Sequence, residues 1–564
     1  MYAFDIETRS LDKSRDNFSL AAIYNTEDEE LLLLEYDDTL AWLKEHSLTS
    51  MIIGHNIVGF DLEWFPHFPI DNVWDTLLMS KILIRDANVS HSLGACLTRI
   101  GEHHTEKDMD VTDREWDLNN LTDQELSYIQ QDVILLPKLF KHLYDIIIEL
   151  DLEHVTRLEH KVRRRSNYME RRGLPLLENN ISIAKKSANA NVKATALPIN
   201  VNSYQQVSDA ILGQGLIADP RLRKCKEVGI PIKRHKTTGR IYIGTDETNR
   251  HKCIMNDINP NVAIKIDKAK RAKAPLKHIA WMLESNNRLY SRYDNLRTQT
   301  GRFAASKYAI QQMNRGLRTC FGHTESEGKV VVKADWSQME LRLHAALNRD
   351  PEMTQVLEEE IDMHAMIACD AFGVKECSAE QRTLGKTANF TLLYMGGPTT
   401  LHNRLIKEGN YVSPEVADRL YRAFHSNFPA VRDTASAIKA HAEATFNDDY
   451  ICRIWGGLVR RVSWSTDELG MWHFPLPTVM NTRVQGAGGA VLKRALLMLD
   501  SNIVENYLSA TVHDEIVLTD VPVTEAEDIG GELKAVMSYA LSQALRNTLI
   551  KPKVDVNIGL TWGG

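Results

Sequence analysis

Through the first 150 residues, short apolar runs alternate with polar, turn-forming stretches. The runs at 20–24, 31–35 and 51–53 are bounded in this way and predict strands. Apolar residues at three- and four-residue spacing over 40–45, 75–83 and 123–148 predict helices, the last running on into the next segment without a break. Residues 1–150 therefore read as an α/β domain. Residues 151–285 read as mostly helical. Strand-like runs return at 329–334 and 507–518, each leading into or through an acidic residue, and 346–445 between them reads as helical. This pattern predicts one sheet domain interrupted by a helical insertion.

Length and composition narrow the class. A chain of 564 residues exceeds what one core sustains and predicts three or four domains. No apolar run reaches the roughly 18 residues of a membrane span, and Met1-Tyr2-Ala3-Phe4-Asp5 lacks the basic-then-apolar order of a signal peptide. The seven cysteines are scattered without a C-x-x-C pair, so neither a zinc site nor a disulfide framework is indicated, and reduced thiols in a cytoplasm are expected. The net charge of −8 conceals an asymmetry. Residues 1–150 hold 29 acidic and 11 basic residues, whereas the remainder holds 46 and 56. Such asymmetry is a hint of nucleic-acid contact, although two domains with different surfaces would produce it too. Basic residues cluster at Arg221, Arg223, Lys224, Lys226, Lys233, Arg234, Lys236 and Arg240, and again at Lys265, Lys268, Lys270, Arg271, Lys273 and Lys277. They suit phosphate contact or a solvated helix face.

Two acidic constellations carry chemistry. In Asp5-Ile6-Glu7 the strand period puts both carboxylates on one face. They repel unless a cation lies between them, and they suit Mg²⁺ or Mn²⁺. Gly54-His55-Asn56 ends another apolar strand, and Asp61 follows five residues after Asn56. Tyr128 and Asp132 stand one helical turn apart. Asp5, Glu7, Asp61 and Asp132 would hold two ions roughly 4 Å apart, one generating hydroxide and one stabilising a leaving 3′-oxygen. Tyr128 would orient the water; alone, it reads better as a core aromatic on an amphipathic helix. D-x-E, then Asn56 with Phe60-Asp61, then Y-x-x-x-D resembles the DEDDy proofreading 3′–5′ exonucleases, which implies an RNase H-like domain.

The second constellation contains a helical stripe. Arg382, Lys386, Phe390 and Tyr394 recur every four residues, so they share a face. Two cations suit the β- and γ-phosphates and two aromatics suit base and sugar, where a structural helix would bury apolar residues. The stripe resembles motif B of the family A DNA polymerases, typified by the Klenow fragment. Val331-Val332-Lys333-Ala334-Asp335-Trp336-Ser337-Gln338-Met339-Glu340 resembles motif A of that family, and Thr511-Val512-His513-Asp514-Glu515 resembles motif C, a hairpin tip. The resemblance implies that Asp335 and Asp514 hold two Mg²⁺ with Glu515 beside them as a weaker ligand. It also implies that Gln338, Glu340, Arg382, Lys386, Phe390 and Tyr394 bind the incoming nucleotide. Glu340 and Tyr394 would close the space at the ribose C2′ against ribonucleotides. Phe390 offers no hydroxyl, which predicts discrimination against dideoxynucleotides.

Further segments extend the resemblance. Thr300-Gly301-Arg302 and the stretch containing Gln311 and Asn314 match family segments, as do Asn481 and Gln485 on a helix facing the template. Arg302 and Gln485 would donate into the minor groove, where all base pairs present acceptors at the same two points, and His513 would fix the primer end. Asn202-Ser203-x-Gln205, Lys236-Thr237-Thr238-Gly239 and Thr245-Asp246-Glu247 resemble the thumb. Trp336, Met395 and Pro477 depart from the family pattern; at Pro477 the family commonly has an arginine.

The expected architecture is a 3′–5′ exonuclease domain at 1–150, thumb at 151–285, palm at 286–345 and 446–564, and fingers at 346–445. The expected partners are primer-template DNA, deoxynucleoside triphosphates and replisome proteins such as a helicase-primase and a single-strand-binding protein, with no membrane and a monomeric, cytoplasmic enzyme. An exonuclease motif starting at residue 5 leaves no room for a preceding 5′-nuclease, which points to a bacteriophage replicative type. Two other readings remain open at this point: a dedicated exonuclease whose C-terminal part only grips DNA, and a binding scaffold with an inactive polymerase fold.

Overall fold

The computed structural model describes the chain except for residues 11–14, 66–67, 87, 104–115, 119, 196, 214–219, 236–238, 447–448 and 468–469. The first sheet has five strands in the order Leu31–Leu34, Phe18–Asn25, Tyr2–Thr8, Ile52–Gly54, Val73–Asp75. Tyr2–Thr8 lies at its centre, antiparallel to Phe18–Asn25 and parallel to Ile52–Gly54. Side chains alternate between two cores. Ala3, Leu20, Ala22 and Ile53 face one core, and Phe4, Ile6, Ala21, Ile23 and Ile52 face the other. Both faces are covered, which is why these strands read as continuous apolar runs.

The helix expected over 123–148 is two helices, Asp123–Ile134 and Leu136–Glu149, meeting at Leu135. Pro137 causes the break. It has no N–H to donate and its ring clashes with the carbonyl four residues earlier, so it sits in the first turn of a new helix. Nor does the second helix run on: Asp151 has φ 57° before Glu153–Arg172 begins.

Helices at Glu178–Ala194, Tyr204–Leu212, Pro220–Glu227, Glu247–Met255 and Pro260–Leu283 fill the next stretch; the last four gather around a small core of Val207, Ile211, Leu222, Ile243 and Ile266, while Ile181 and Ala188 of the first join the large core. Most of the first basic cluster occupies Pro220–Glu227 and the exposed strand Ile232–Arg234, its Arg240 pairs with Asp209 at 3.0 Å, and the second cluster lies on Pro260–Leu283. The Lys236-Thr237-Thr238 stretch lies outside the described residues.

The second sheet is antiparallel throughout, in the order Leu508–Val512, Glu515–Pro522, Lys329–Trp336, Val554–Gly559. The run at 507–518 is thus a hairpin whose tip is His513-Asp514, with His513 at φ 57°. The helix Ala526–Leu545 packs on this sheet and Leu476–Met498 packs on that helix, while helices from Pro351 to Ala444 form the insertion.

Glu153–Arg172 joins the two sheets. Its Glu159 accepts from Lys493 Nζ at 2.6 Å, and the same ammonium donates to the Asn295 carbonyl at 2.8 Å. Both side chains of the pair are 1% exposed. Removing one partner of a buried pair leaves the other charge uncompensated, so Lys493→Ala should destabilise the protein by about 3–5 kcal/mol. Chemical denaturation should show the loss, and it should shrink in the double variant Lys493→Met/Glu159→Leu, which removes both charges.

Candidate active sites

Pairing register builds the centre on the second sheet. Asp335 lies opposite Glu515 on one neighbouring strand and opposite Asp555 on the other. The Trp336 N–H donates to the Asp514 carbonyl at 3.3 Å, which draws the hairpin tip against the end of the Asp335 strand. One cleft of about 480 Å³ is lined by Asp335, Gln338, Glu340, Asp514 and Glu515 from the sheet side and by Arg382, Lys386 and Phe390 from the Ala379–Leu392 helix. Three distant segments thus converge.

The acids of this cleft are not equivalent. Glu515 is fully engaged: Arg318 lies 2.8 Å from one carboxylate oxygen and the Trp562 indole N–H donates to the other at 3.0 Å. Glu340 is also engaged, accepting from Arg302 at 2.5 Å and from the Tyr394 hydroxyl. The Asp514 carboxyl is raised, mainly by burial; its Oδ1 is buried without a hydrogen bond, and the Arg302 guanidinium stands 3.6 Å away. Asp335 opens to the cleft, yet partial burial and then the neighbouring Asp514 and Glu515 push its carboxyl up to about 7. Asp335 and Asp514, hard oxygen donors left short of cationic partners, fit a divalent ion such as Mg²⁺.

The stripe of Arg382, Lys386, Phe390 and Tyr394 does not stay on one helix face. The helix ends at Leu392 and Tyr394 falls in the following turn, where Met395 has φ 62° ahead of Gly396-Gly397-Pro398. Tyr394 instead lines a second cleft of about 990 Å³ with Arg302, Gln311, Asn481, Gln485 and His513. Arg302 Nε donates to the Gln485 carbonyl at 3.3 Å. Gln311 is held by the backbone of Phe303 and Ala305. Burial lowers the His513 imidazole below its ordinary range. Asn314 lines neither cleft and accepts from the Gly316 N–H at 2.8 Å. Arg382 pairs with Asp362 at 2.6 Å.

Sequence reasoning missed several side chains here. Arg318 and Trp562 anchor Glu515, and Arg460 enters the larger cleft beside Pro477, donating to Thr482 at 2.7 Å and to Gln299. None has a local signature, because each acts on a residue far away in the chain.

On the first sheet, the ligand oxygens of Asp5, Glu7 and Asp132 lie within 4.8 Å of one another. Asp5 and Glu7 come from Tyr2–Thr8, and Asp132 from Asp123–Ile134. Asp61 is not in that trio; its Oδ1 accepts from the Ile6 N–H at 3.1 Å, which ties it to the same strand. Tyr128 lies one turn before Asp132. Its hydroxyl is held far above the usual range by burial and then by Asp132, Glu7 and Asp5, so it remains a donor. Three carboxylates this close, among oxygen donors, likewise fit a divalent cation. Asp75, also missed, is fully buried and accepts from the N–H groups of Asn56 at 3.0 Å and Val58 at 3.1 Å, which shapes the loop leading to Asp61. Asn56 has φ 66° there.

Known proteins agree with this division. The profile of DNA polymerase family A matches residues 174–564, and that of a 3′–5′ exonuclease matches residues 2–148. DNA polymerase I of Aquifex aeolicus (strain VF5) is 25% identical over 90% of this chain and 87% of its own length. The DNA polymerase of Mycobacterium phage L5 is 24% identical over 100% and 92%. The polymerase domain of Pol1 from M. smegmatis, solved with DNA primer-template and dNTP, matches 100% of this chain and 96% of its own with a TM-score of 0.74 at 18% identity, a likeness of fold. Fold and centres define a polymerase joined to an exonuclease. The chain belongs to DNA polymerase family A: it is a DNA-directed DNA polymerase with a 3′–5′ exonuclease domain. Among the described residues, no helix is long and apolar enough to cross a membrane.

The raised Asp335 carboxyl has a measurable consequence. Its folded value, about 7, exceeds its ordinary 3.8, so the folded state binds the proton more tightly. Its contribution to stability is therefore present at low pH and is lost as pH rises through that window. In chelator, thermal denaturation of the wild type should show a fall in midpoint between these values that Asp335→Asn lacks, and Mg²⁺ should reverse it.

Proposed function

We propose that this enzyme extends a primer 3′-hydroxyl on a DNA template at the cleft of Asp335 and Asp514, and hydrolyses mispaired 3′ ends at the cluster of Asp5, Glu7, Asp61 and Asp132. The observation that carries the reading is the convergence of Asp335, Asp514, Arg382, Lys386 and Phe390, from three segments, on one cleft.

Asp335 and Asp514 would hold Mg²⁺ in the first centre, and Asp5, Glu7, Asp61 and Asp132 in the second, with Mn²⁺ an alternative. Such ions, when bound, supply Lewis acidity that activates the attacking oxygen and neutralises charge at phosphorus. Lys386 and Arg382 grip the triphosphate through charge-assisted hydrogen bonds, and Phe390 stacks on the base. Glu340, fixed between Arg302 and Tyr394, forms a rigid wall at C2′ with Gln338 beside it. Arg302, Gln485, Asn481, Gln311 and His513 contact the terminal base pair and template. Asn314 supports that strand from outside the two clefts. Glu515, held by Arg318 and Trp562, keeps the hairpin tip in place rather than binding an ion directly. In the exonuclease centre Tyr128 donates to the attacking water. The domains run 1–150 (exonuclease), 151–285 (thumb), 286–345 with 446–564 (palm) and 346–445 (fingers). The relative in Mycobacterium phage L5 supports a role in phage genome replication, as a cytoplasmic monomer alongside replisome proteins.

Asp335→Ala or Asp514→Ala should lower primer extension by roughly 10²–10³-fold or more while degradation of single-stranded DNA persists, and Asp5→Ala should do the reverse. Continued extension by Asp514→Ala in a Mg²⁺ primer-extension assay would sink the assignment. Separately, competition between deoxy and dideoxy substrates should favour deoxynucleotides in the wild type, and Phe390→Tyr should narrow that preference by about two- to tenfold, the scale of one added hydrogen bond to the sugar.

A further inference from the structure

The segment that delivers Arg302 to the polymerase centre begins at Asp294. One helix of the exonuclease region grips it at two points. Lys81 Nζ, on Thr76–Leu83, donates to Asp294 at 2.8 Å. Arg85, just beyond the helix end, donates through Nη2 to the Thr298 carbonyl at 2.8 Å. The two cations are four residues apart, and so are their two acceptors.

The second grip falls on a tight turn. The Thr298 carbonyl also accepts from the Gly301 N–H at 2.9 Å, and the Thr298 hydroxyl donates to the Arg302 carbonyl at 2.9 Å. Gly301 has φ 80°, a conformation that favours glycine. The space is tight as well: a Cβ there would stand 2.7 Å from Leu458 and 3.2 Å from Arg85 Nη2. Burial holds the Arg85 guanidinium down at about 10, with Glu159 opposing the fall, so it stays charged at neutral pH. Its Nε and Nη1 make no hydrogen bond among the described residues, which leaves Thr298 as the group it holds. The helix itself starts at Asp75, whose carboxylate shapes the loop to Asp61. A single helix thus touches the supports of both centres.

We propose that Arg85, a residue of the exonuclease region, is a positioning residue for polymerisation: it fixes the turn at 298–301 so that the Arg302 guanidinium stands between Glu340 and Asp514, and thereby sets how strictly the polymerase centre tests the primer terminus. This rests on the reading of Arg302 as a contact to the terminal base pair. Without Arg85 the Thr298 carbonyl keeps only the Gly301 bond, and the turn can shift. Displacements of about 1 Å at a reacting geometry lower rates by up to about a hundredfold.

The test compares extension of matched and mismatched primer ends by Arg85→Ala, Arg85→Lys and Arg302→Ala, all in the Asp5→Ala background so that proofreading does not erase the mismatch. Degradation of single-stranded DNA is measured for the Arg85 variants with Asp5 intact. Arg85→Ala should lower the preference for matched ends by about tenfold, and Arg85→Lys, which keeps one donor, by less than about threefold. Degradation should stay within about twofold of wild type. The proposal is overturned if Arg302→Ala loses the preference and Arg85→Ala keeps it. It is also overturned if extension, degradation and melting temperature fall together in both Arg85 variants with the preference intact, the mark of a residue that only supports the fold. If Arg302→Ala itself keeps the preference, the reading of Arg302 fails first and the proposal falls with it.

Discussion

Electrostatic repulsion among clustered carboxylates is the constraint on which the rest of this structure depends. Two unit charges 4.8 Å apart, the span within which Asp5, Glu7 and Asp132 gather, repel by about 3–4 kcal/mol at an effective dielectric of about 20. No flexible chain would hold them together without an ion. Here Asp5 and Glu7 are carried on a sheet strand, whose register is fixed by alternate burial on two faces, and Asp132 on a helix beside it. In the second sheet the same device aligns Asp335 with Glu515 and Asp555 on three adjacent strands. The raised Asp335 carboxyl is the residue of repulsion and burial that packing elsewhere overcomes.

Cations decide which acids remain available. Arg318 with Trp562 satisfies Glu515, and Arg302 with Tyr394 satisfies Glu340. Each of those carboxylates therefore acts as a fixed piece of wall. Asp514 has an arginine nearby but out of hydrogen-bond reach, and Asp335 is raised by burial and then by its acidic neighbours. Such sorting is a more discriminating guide than acidity alone, because a D-x-E or D-E pair in a sequence says nothing of its counter-charges. Glu515 shows the point: it follows Asp514 directly in the chain, yet its two oxygens are taken.

What was legible in the sequence follows from the range of the interactions involved. Strand alternation placed Asp5 beside Glu7, and helical spacing placed Tyr128 beside Asp132 and Arg382 beside Lys386, because these are local periodicities. The stripe failed at Tyr394, where a helix stop before Gly396-Gly397-Pro398 outweighed a four-residue rhythm. The long helix failed at Pro137, a local signal that the apolar period had masked. Asp75, Arg460, Trp562 and Arg85 were invisible for a different reason. Each serves a partner elsewhere in the fold, and nothing in its own neighbourhood of sequence announces that partner.

The same limit explains how the charge asymmetry is best understood. Residues 1–150 hold only 11 basic residues against 29 acidic ones. Two of those few cations, Lys81 and Arg85, are spent on neither solvent nor the acidic cluster of their own region; both reach across to the Asp294–Thr298 stretch. The acidic body is also tied to the connecting helix by the Arg171–Glu63 and Lys161–Asp71 pairs, and the buried Lys493–Glu159 pair ties that helix onward to Leu476–Met498. Lys81, Arg85 and Lys493 converge on the one segment that carries Arg302. An arrangement chosen only to join two bodies would have no reason to meet there, whereas one that keeps Arg302 in register with a separate sheet would.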